Sequence, residues 1–502
     1  MSDLVLPGPA AAAPLARIPV LAYDEYAARI LAEIEAQGQV IAAFADRPHQ
    51  AAARGLFTVI ARADGSLVIL RTEAAERFPS LTGQCPQLHL FEREIAEQYG
   101  IIPEGHPWLK PVRFHRVWEG ENDAWGRDPH AHPLVGDMRY FQVEGDEIHE
   151  VGVGPVHAGI IEPGHFRFQC FGEKVLHLEI SLGYQHRGIE RLLAGGQRPQ
   201  AMAMLETVAG DTTIGHATAY CQLLETLAGC RISERARQLR TVALELERLA
   251  NHVGDIGALA GDVGFLPTAS YCGRLRGDYL NMTALCCGSR FGRGLVRPGG
   301  VFFDLEEERL GRLLGSLETV TPHTMGAVDL FFETPSVLSR LEGTGIVARA
   351  DAAALGLVGV AGRACGLACD VRPQPAAVPE GDERRLGQNG DVFSRAAVRR
   401  REIAAATAFI RQTLAALPPG ETLTPLPTLA PESLAISQVE GWRGRIAHIG
   451  ITDREGRLRR HKVIDPSFFN WSGLAMALRN EQISDFPLCN KSFNLSYCGF
   501  DL

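Results

Sequence analysis

No stretch of this chain approaches the ~20 consecutive apolar residues that a membrane-crossing helix needs, and its first residues lack the basic and apolar regions of a secretory leader. The protein is therefore expected on the cytoplasmic side, alone or docked to something. An excess of basic charge is missing too: 59 acidic residues against 50 Lys and Arg leave a formal net charge of −9. That argues against a nucleic-acid partner, because phosphate binding needs a basic surface. The cysteines, eleven in number, form no regular framework, so they read as reduced thiols rather than a disulfide scaffold. Metal knuckles are also lacking. Cys365 and Cys369 are spaced C-x3-C, two-residue spacing is the usual knuckle, and no second pair follows. A small-residue helix contact is the better reading there, and adjacent Cys286 and Cys287 read as core fillers.

A chain of 502 residues has room for two or three domains, since single cores stop growing near ~250–300 residues. With 46% hydrophobic and 22% charged residues, disorder is not expected over most of it. Residues 1–17, rich in Ala and Pro, are expected to be a disordered lead-in. Residues 18–114 read as a small α+β domain. A helix over Tyr26–Ala36 stops at Gly38, and Val40–Phe44 is a strand. Strands Leu56–Ala61 and Ser66–Arg71 are joined by Asp64-Gly65, a hairpin signal because glycine tolerates positive φ. A helix over His89–Tyr99 is closed by Gly100. On charge alone, its Glu92, Glu94 and Glu97 are a solvated face. Residues 115–146, with Trp118, Gly120, Gly126, Pro129 and Pro133, read as a linker.

A larger domain is expected over 147–502. It opens with a loop holding His157, Glu162 and His165, and a hairpin of Phe166–Cys170 and Lys174–Ile180. Ser233 can cap a long helix with Glu234 in its first turn. Leu239, Val242, Leu246, Leu249, Val253 and Ile256 form one stripe along it. Glu245, Arg248, His252 and Asp255 fall on another face, either a polar seam within a bundle or a solvated face, and periodicity favours the latter. Further helices are expected at Arg274–Arg290, Glu306–Leu317, Ala396–Leu417 and Ser472–Ala477, with a late hairpin around Val439–Ile451. The fold class is α+β: a small N-terminal α+β domain, then a mainly helical domain with small antiparallel β elements.

The rest of the chain is organised around the stretch from Leu182 to Tyr220. Leu182–Glu190 sets ionisable side chains beside a glycine. Glu206–Tyr220 breaks an apolar helix pattern with Gly210, Asp211, Thr212, Thr213 and Gly215. Polar, backbone-permissive residues at such a junction are either a site or a glycine-rich loop between core helices.

The phrase Phe91-Glu-Arg-Glu to Ile101, followed by Gly105-His-Pro-Trp-Leu-Lys110, resembles the signature of the thirty-kilodalton subunit of respiratory complex I, with Lys110 where that family usually has arginine. The resemblance implies assembly and packing rather than chemistry. From about Glu147 onward the chain resembles the large-subunit superfamily shared by the forty-nine-kilodalton subunit of complex I and energy-converting [NiFe] hydrogenases. The motifs are His186-Arg-Gly-Ile-Glu190, Glu234-Arg-Ala-Arg237, Arg297-Pro-Gly-Gly300, Asp370-Val-Arg372, Gly390-Asp391, Val439-Glu-Gly-Trp-Arg-Gly444 and Pro466-Ser-Phe468. A thirty-kilodalton-like domain fused ahead of it is typical of formate hydrogenlyase large subunits. Gly154-Pro-Val-His157 and Glu162-Pro163 are similar to the hydrogenase branch.

A nickel–iron centre is held by four soft thiolates. The aligned positions here are Ala209, Thr212, Ser467 and Asn470, so the resemblance implies that the centre is absent. Cys489 and Cys498 lie too far along to be simple substitutes. The quinone-site tyrosine of complex I aligns with Met204, its histidine with Ile161 or Glu162, and an arginine beside its terminal cluster with Thr207. His157 matches an earlier family histidine, and Asp262 matches the acid that pairs with the quinone histidine. What remains is a position lined by Glu162, Asp211 and His216, with His157, His165 and Asp262. In the hydrogenase branch the glutamate aligned with Glu162 relays protons, and a carboxylate beside a histidine passes protons at neutral pH if burial raises its pKa. The plainer alternative is that both acids bind loop amides.

The resemblance also implies that His186, Arg187 and Arg297 lie near a partner's [4Fe-4S] cluster. Expected partners are a small iron–sulfur subunit, a ferredoxin-like subunit, and membrane antiporter-like and quinone-module-like subunits that hold the chain on the inner face of the cell membrane. The expected function is an oxidoreductase subunit that couples electron delivery to an acceptor, quinone among the candidates, with proton transfer. A non-catalytic coupling subunit, and a hydrogenase or NADH:quinone oxidoreductase with an atypical site, are the alternatives.

Overall fold

The computed structural model describes residues 4–46, 54–74, 76–118, 123–128, 130–156, 161–196, 200–372 and 388–502. The N-terminal unit is a mixed sheet in the order β1 (Leu4–Leu6), β6 (Leu67–Ala74), β5 (Arg54–Ala61), β4 (Gln39–Asp46), with β3 (Val20–Leu21) parallel to β6. The β5–β6 turn works as its dipeptide predicts. Gly65 takes φ +81°, and the Asp64 carboxylate accepts from the Ser66 amide at 2.8 Å. Helix α1 (Tyr23–Glu35) precedes β4, and α2 (His89–Tyr99) closes on Gly100 in the left-handed conformation. A parallel pair, β7 (Arg77–Pro79) and β8 (Ile102–Glu104), brackets α2.

Residues 4–17 are not a disordered lead-in. β1 joins the N-terminal sheet, and β2 (Ala10–Pro14) runs antiparallel along β14 (Ser433–Glu440), with Ala13 opposite Leu434 and Ala11 opposite Ile436. Composition misleads here because alanine brings little apolar mass of its own. Ala11 and Ala13 nonetheless face a core that β14 supplies, and both are buried.

In the larger domain β9 (Ile148–Val153), β10 (His165–Phe171) and β11 (Lys174–Ser181) form an antiparallel sheet, so the expected hairpin carries a third strand. Residues 115–146 contain no helix or strand among those described. Short helices α3 (Ile189–Leu193) and α4 (Ala201–Leu205) lead into α5 (Thr213–Ala228). The bundle is built on α6 (Glu234–Asp262), flanked by α7 (Leu266–Cys287) and α12 (Val392–Ala415). Ser233 caps α6 by accepting from the Ala236 amide at 3.0 Å. The six-residue apolar stripe of α6 is buried throughout. A two-stranded ribbon of β12 (Val296–Arg297) and β13 (Gly300–Val301), then helices α8 (Glu307–Glu333), α9 (Pro335–Leu341), α10 (Arg349–Leu355) and α11 (Gly359–Ala364), complete the outer layer. The late sheet runs β16 (Leu458–Ile464), β15 (Arg445–Thr452), β14, β2, and is followed by α13 (Ser467–Ala477), α14 (Phe486–Phe493) and α15 (Tyr497–Asp501). Each of the eleven cysteines is a free thiol.

Two charged faces that periodicity assigns to solvent are interior. On α6, Glu245, Arg248, His252 and Asp255 are buried because α12 answers them. Arg248 bridges Glu245 (2.9 Å) and Glu402 (3.1 Å), His252 Nε2 lies 2.8 Å from Glu402, and Arg399 binds Asp255 at 2.6 Å. Charges are tolerated inside when paired. On α2, Glu97 accepts the amides of Val112, Arg113 and Phe114, and Glu92 accepts from Leu81 N and the hydroxyls of Ser80 and Thr82. Glu94 pairs with Arg113 and with Lys462 on β16.

Candidate functional site

The loop between α4 and α5 is held from three sides. From α6, Glu247 accepts the first-turn amides of α5, Ile214 N at 2.7 Å and Gly215 N at 3.2 Å, and Asn251 donates to Asp211 O at 3.0 Å. A carboxylate belongs at a helix N-terminus on electrostatic grounds. Burial nevertheless pushes Glu247 up to about 8, with the two amides pulling the other way. From the β14–β15 turn, Trp442 donates to Asp211 O at 3.0 Å, and Arg443 makes a bidentate pair with Asp211 at 2.5 and 2.7 Å. Arg443 also donates to Thr212 Oγ1 and Asn494 O. Gly359 and Gly444, at φ +60° and +140°, permit this turn to touch α11: a Cβ on Gly359 would lie 1.9 Å from Arg443 O. Burial opposes ionisation of Asp211, but Arg443 wins and holds its carboxyl below the usual range.

Behind the loop lies a file of buried side chains. Asp465, between β16 and α13, accepts the Ser467 amide at 2.8 Å, and its other oxygen meets His216 Nε2 at 3.0 Å. His216 Nδ1 is 3.2 Å from His448 Nε2, and His448 Nδ1 is 3.1 Å from His461 Nε2. All four are within 1% of complete burial. One tautomer set satisfies every contact: each ring carries its proton on Nε2 and points it toward Asp465. The far nitrogen, His461 Nδ1, is then a bare acceptor, and it is buried without a partner. Burial drives His461 down to about 4 and His448 well below its usual value, so these rings are neutral at pH 7. Asp465 is held below the carboxylate range; burial opposes this, and the His216 hydrogen bond prevails.

From the third side comes α15. Ser496 N donates to Ser467 Oγ at 2.9 Å, and Glu162 Oε2 accepts from Tyr497 N at 3.1 Å. The Cys498 thiol is pushed up to about 11 by burial first and by Glu162 next. Asp501 accepts from Gly183 N (2.7 Å) and Gln185 N (2.8 Å), and burial raises it to about 6, Glu162 adding a little. Arg187 ties the pieces together by donating to Thr207 O, Val208 O and Cys498 O.

Glu162, Asp211 and His216 thus border one region; Glu162 accepts a backbone amide, as the plainer alternative has it, whereas Asp211 pairs with Arg443 and His216 with Asp465. His157 lies outside the described residues. His165 bonds Gly154 O at 3.2 Å under its own sheet and joins none of the three. Asp262 ends α6, roughly 10 Å along the axis from Asp255 at 1.5 Å per residue, and pairs with Lys491 at 2.5 Å. Arg187 and Arg297 flank the same short stretch, since Arg297 binds Glu206 at 3.0 Å. His186 donates to Asp501 O at 2.6 Å and stacks on His115.

The four aligned metal-ligand positions do not fit a dinuclear thiolate centre. Ala209 has no donor atom, and Thr212 Oγ1 accepts from Trp442 and Arg443. Ser467 Oγ takes the Ser496 amide, and Asn470 is spent in both directions on the Val358 backbone at 3.0 and 3.2 Å. Among the described residues no group of three or more His, Cys, Asp and Glu is placed to hold a metal ion.

The sequence reading gives no role to Asp465, Glu247, His448 and His461, quotes Arg443 only within a family motif, and sets Cys498 aside as too far along the chain. Signals are available: Arg443 lies within the Val439–Gly444 motif, Asp465 directly precedes Pro466-Ser-Phe468, and His448 and His461 sit on successive strands around the Asp453–Gly456 turn, where antiparallel pairing brings them together.

Comparison with known proteins supplies the relatives. Family models match over residues 27–138 (respiratory-chain NADH dehydrogenase, 30 Kd subunit) and 262–433 (the 49 Kd subunit of the same enzyme). The carbon monoxide-induced hydrogenase of Rhodospirillum rubrum is 33% identical over 349 residues, covering 68% of this chain and 96% of the relative. Formate hydrogenlyase subunit 5 of Escherichia coli is 29% identical, covering 84% and 76%. NADH-quinone oxidoreductase subunit 4 of Thermus thermophilus is 30% identical, covering 68% and 90%. A chain of the membrane-bound sulfane sulfur reductase, an archaeal respiratory membrane complex, shares the fold with a TM-score of 0.65 at 23% identity, over 71% of this chain and 99% of that one.

Proposed function

The chain belongs to the superfamily of complex I forty-nine-kilodalton subunits and hydrogenase large subunits, with a thirty-kilodalton-like domain ahead of it, and we propose that it is the large subunit of a membrane-associated oxidoreductase complex that works without a nickel–iron centre. The observation that carries this reading is the donor set. Positions that would need thiolates hold alanine, a threonine and a serine already hydrogen-bonded, and an asparagine closed on Val358. The guanidinium of Arg443 is bonded into the same loop through Asp211 and Thr212.

In this reading Arg187 and Arg297 would face a small iron–sulfur partner, whose [4Fe-4S] cluster would supply electrons for an acceptor of which quinone is one candidate. Protons are handled by Glu162 and by the Asp465–His216–His448–His461 file. A proton taken up at His461 Nδ1 releases the Nε2 proton of that ring to His448 Nδ1. The next ring repeats the exchange, and His216 delivers to Asp465. Each ring gains one proton and gives one up, Asp465 ends protonated, and the tautomers must then reset. No described helix is long and apolar enough to cross a membrane, so attachment falls to ferredoxin-like, antiporter-like and quinone-module-like partners.

A second reading, a coupling subunit without chemistry, is favoured by one observation: Asp211 is locked to Arg443 rather than free to titrate. Nickel analysis and turnover of the purified complex carrying Glu162→Gln or Asp465→Asn separate the two. Lost turnover in an intact, nickel-free assembly supports the catalytic reading. Unchanged turnover in both variants leaves only the coupling role, and stoichiometric nickel overturns both.

A further inference from the structure

At the junction of the N-terminal unit and the larger domain, apart from the loop described above, lies a cavity of ≈ 580 Å³. That is within the ~300–1,000 Å³ of small-molecule sites. Its walls are aromatic, with Trp108, Phe114, Phe141, Trp471 and Phe500 among them. One strand supplies the polar floor. His177, Glu179 and Ser181 alternate along β11 and therefore share a face.

Their hydrogen bonding is incomplete in a specific way. Glu179 is satisfied by Lys110 Nζ at 2.5 Å and Phe141 N at 2.7 Å, which also cancels its charge. Ser181 is 3% exposed and its hydroxyl meets the phenol of Tyr140, which also donates to Gly136 O at 3.2 Å. His177 Nε2 is buried without a partner. Buried polar atoms are nearly always satisfied, so the unpartnered His177 Nε2 on the cavity wall, two residues along the strand face from Glu179, marks where another molecule completes the bonding.

The charges say which kind. Arg93, lining the cavity, donates to the carbonyls of Lys110 and Pro111 and forms no ion pair with a described carboxylate within 4 Å. Arg479 is exposed at the cavity and likewise lacks a described ion-pair partner. Arg93 feels the charges of Glu97 and Glu179, and with Glu179 also paired to Lys110 the exposed guanidinium of Arg479 is left as the cation at the cavity without a described ion-pair partner. A guanidinium is a planar donor that suits carboxylate.

We propose that this cavity binds an amphipathic carboxylate, its head held by Arg93, Arg479, His177 and Ser181 and its acyl or aromatic body packed among the tryptophans and phenylalanines. The inference does not rest on the redox reading. The test is calorimetric titration of the purified complex with decanoate and, separately, with decanol, repeated on Arg479→Glu and Ser181→Ala. Saturable binding of one decanoate per chain is expected, with decanol and the Arg479→Glu complex each about tenfold weaker or worse, since hydrogen bonds to a charged head are involved. Ser181→Ala, which removes one hydroxyl, should weaken decanoate by several-fold with thermal stability unchanged. No saturable decanoate binding, equal affinity for decanol, or unchanged affinity in both variants overturns the proposal and leaves the cavity to water.

Discussion

The ammonium of Lys462 lies 2.6 Å from Glu94 Oε2, joining strand β16 of the larger domain to helix α2 of the thirty-kilodalton-like unit, and both side chains are at most 1% exposed. Its other contact, Glu190 at 2.9 Å, belongs to the His186–Glu190 motif, which Arg460 also reaches at 3.0 Å. The family signatures of the two units therefore meet at one buried charge cluster.

Removing one member of that cluster strands the others. Lys462→Met should destabilise the chain by about 3–5 kcal/mol, the usual cost of breaking a buried pair from one side. Lys462→Met combined with Glu94→Gln should lose less than the sum of the single changes. Denaturant unfolding of the four proteins in the cycle measures this; additive losses would mean the two groups do not couple.

The Asp211–Arg443 pair gives an acid-side signature. Because the Asp211 carboxyl is held below its ordinary value in the folded chain, its stabilising contribution is present above the unfolded pKa and fades as pH falls through the folded one. Wild type should be more stable than Asp211→Asn at pH 7, and the gap should close toward pH 3. A gap independent of pH in thermal scans would rule out the ion pair as its source.

Glu247 predicts the opposite slope. Its folded pKa is raised from 4.5 to about 8, so the folded chain binds the proton more tightly. The associated stability is complete below the unfolded value and is lost as pH rises through 8. Relative to Glu247→Gln, wild type should lose up to about 1.4 kcal/mol per pH unit across that interval. Parallel stability curves between pH 5 and 9 would contradict it.

For the histidine file, His448→Phe should cut proton-coupled turnover of the assembled complex by at least about 10²-fold, the lower end for positioned acid–base groups. Nitrogen-15 spectra of labelled histidine should show His216, His448 and His461 protonated on Nε2. A mixed tautomer pattern, or full turnover in the variant, would exclude a relay.

Local elements are largely legible in the sequence, as the long helix α6 illustrates: its cap and apolar stripe follow from residue type and spacing alone. The solvent assignment of its Glu245–Asp255 face fails because the deciding groups, Arg399 and Glu402, sit about 150 residues away on α12. The site behaves likewise. Asp211 and His216 stand out as polar residues in an apolar pattern, yet what each does is set by Arg443, 232 residues on, and Asp465, 249 residues on. Strand β2 is hidden for a related reason, since its apolar surroundings come from β14 rather than from its own alanines.

That strand also sets the order of events on the ribosome. β2 emerges more than four hundred residues before the β14 edge it pairs with, which at ~5–20 residues per second is a wait of roughly 20–80 s. Through that interval the nascent chain holds a strand whose backbone groups have no native partner, and unpaired edges recruit other chains. An alanine strand ended by Pro14 is a poor template for such association, so the weak composition that disguises β2 also protects it until translation delivers its neighbour.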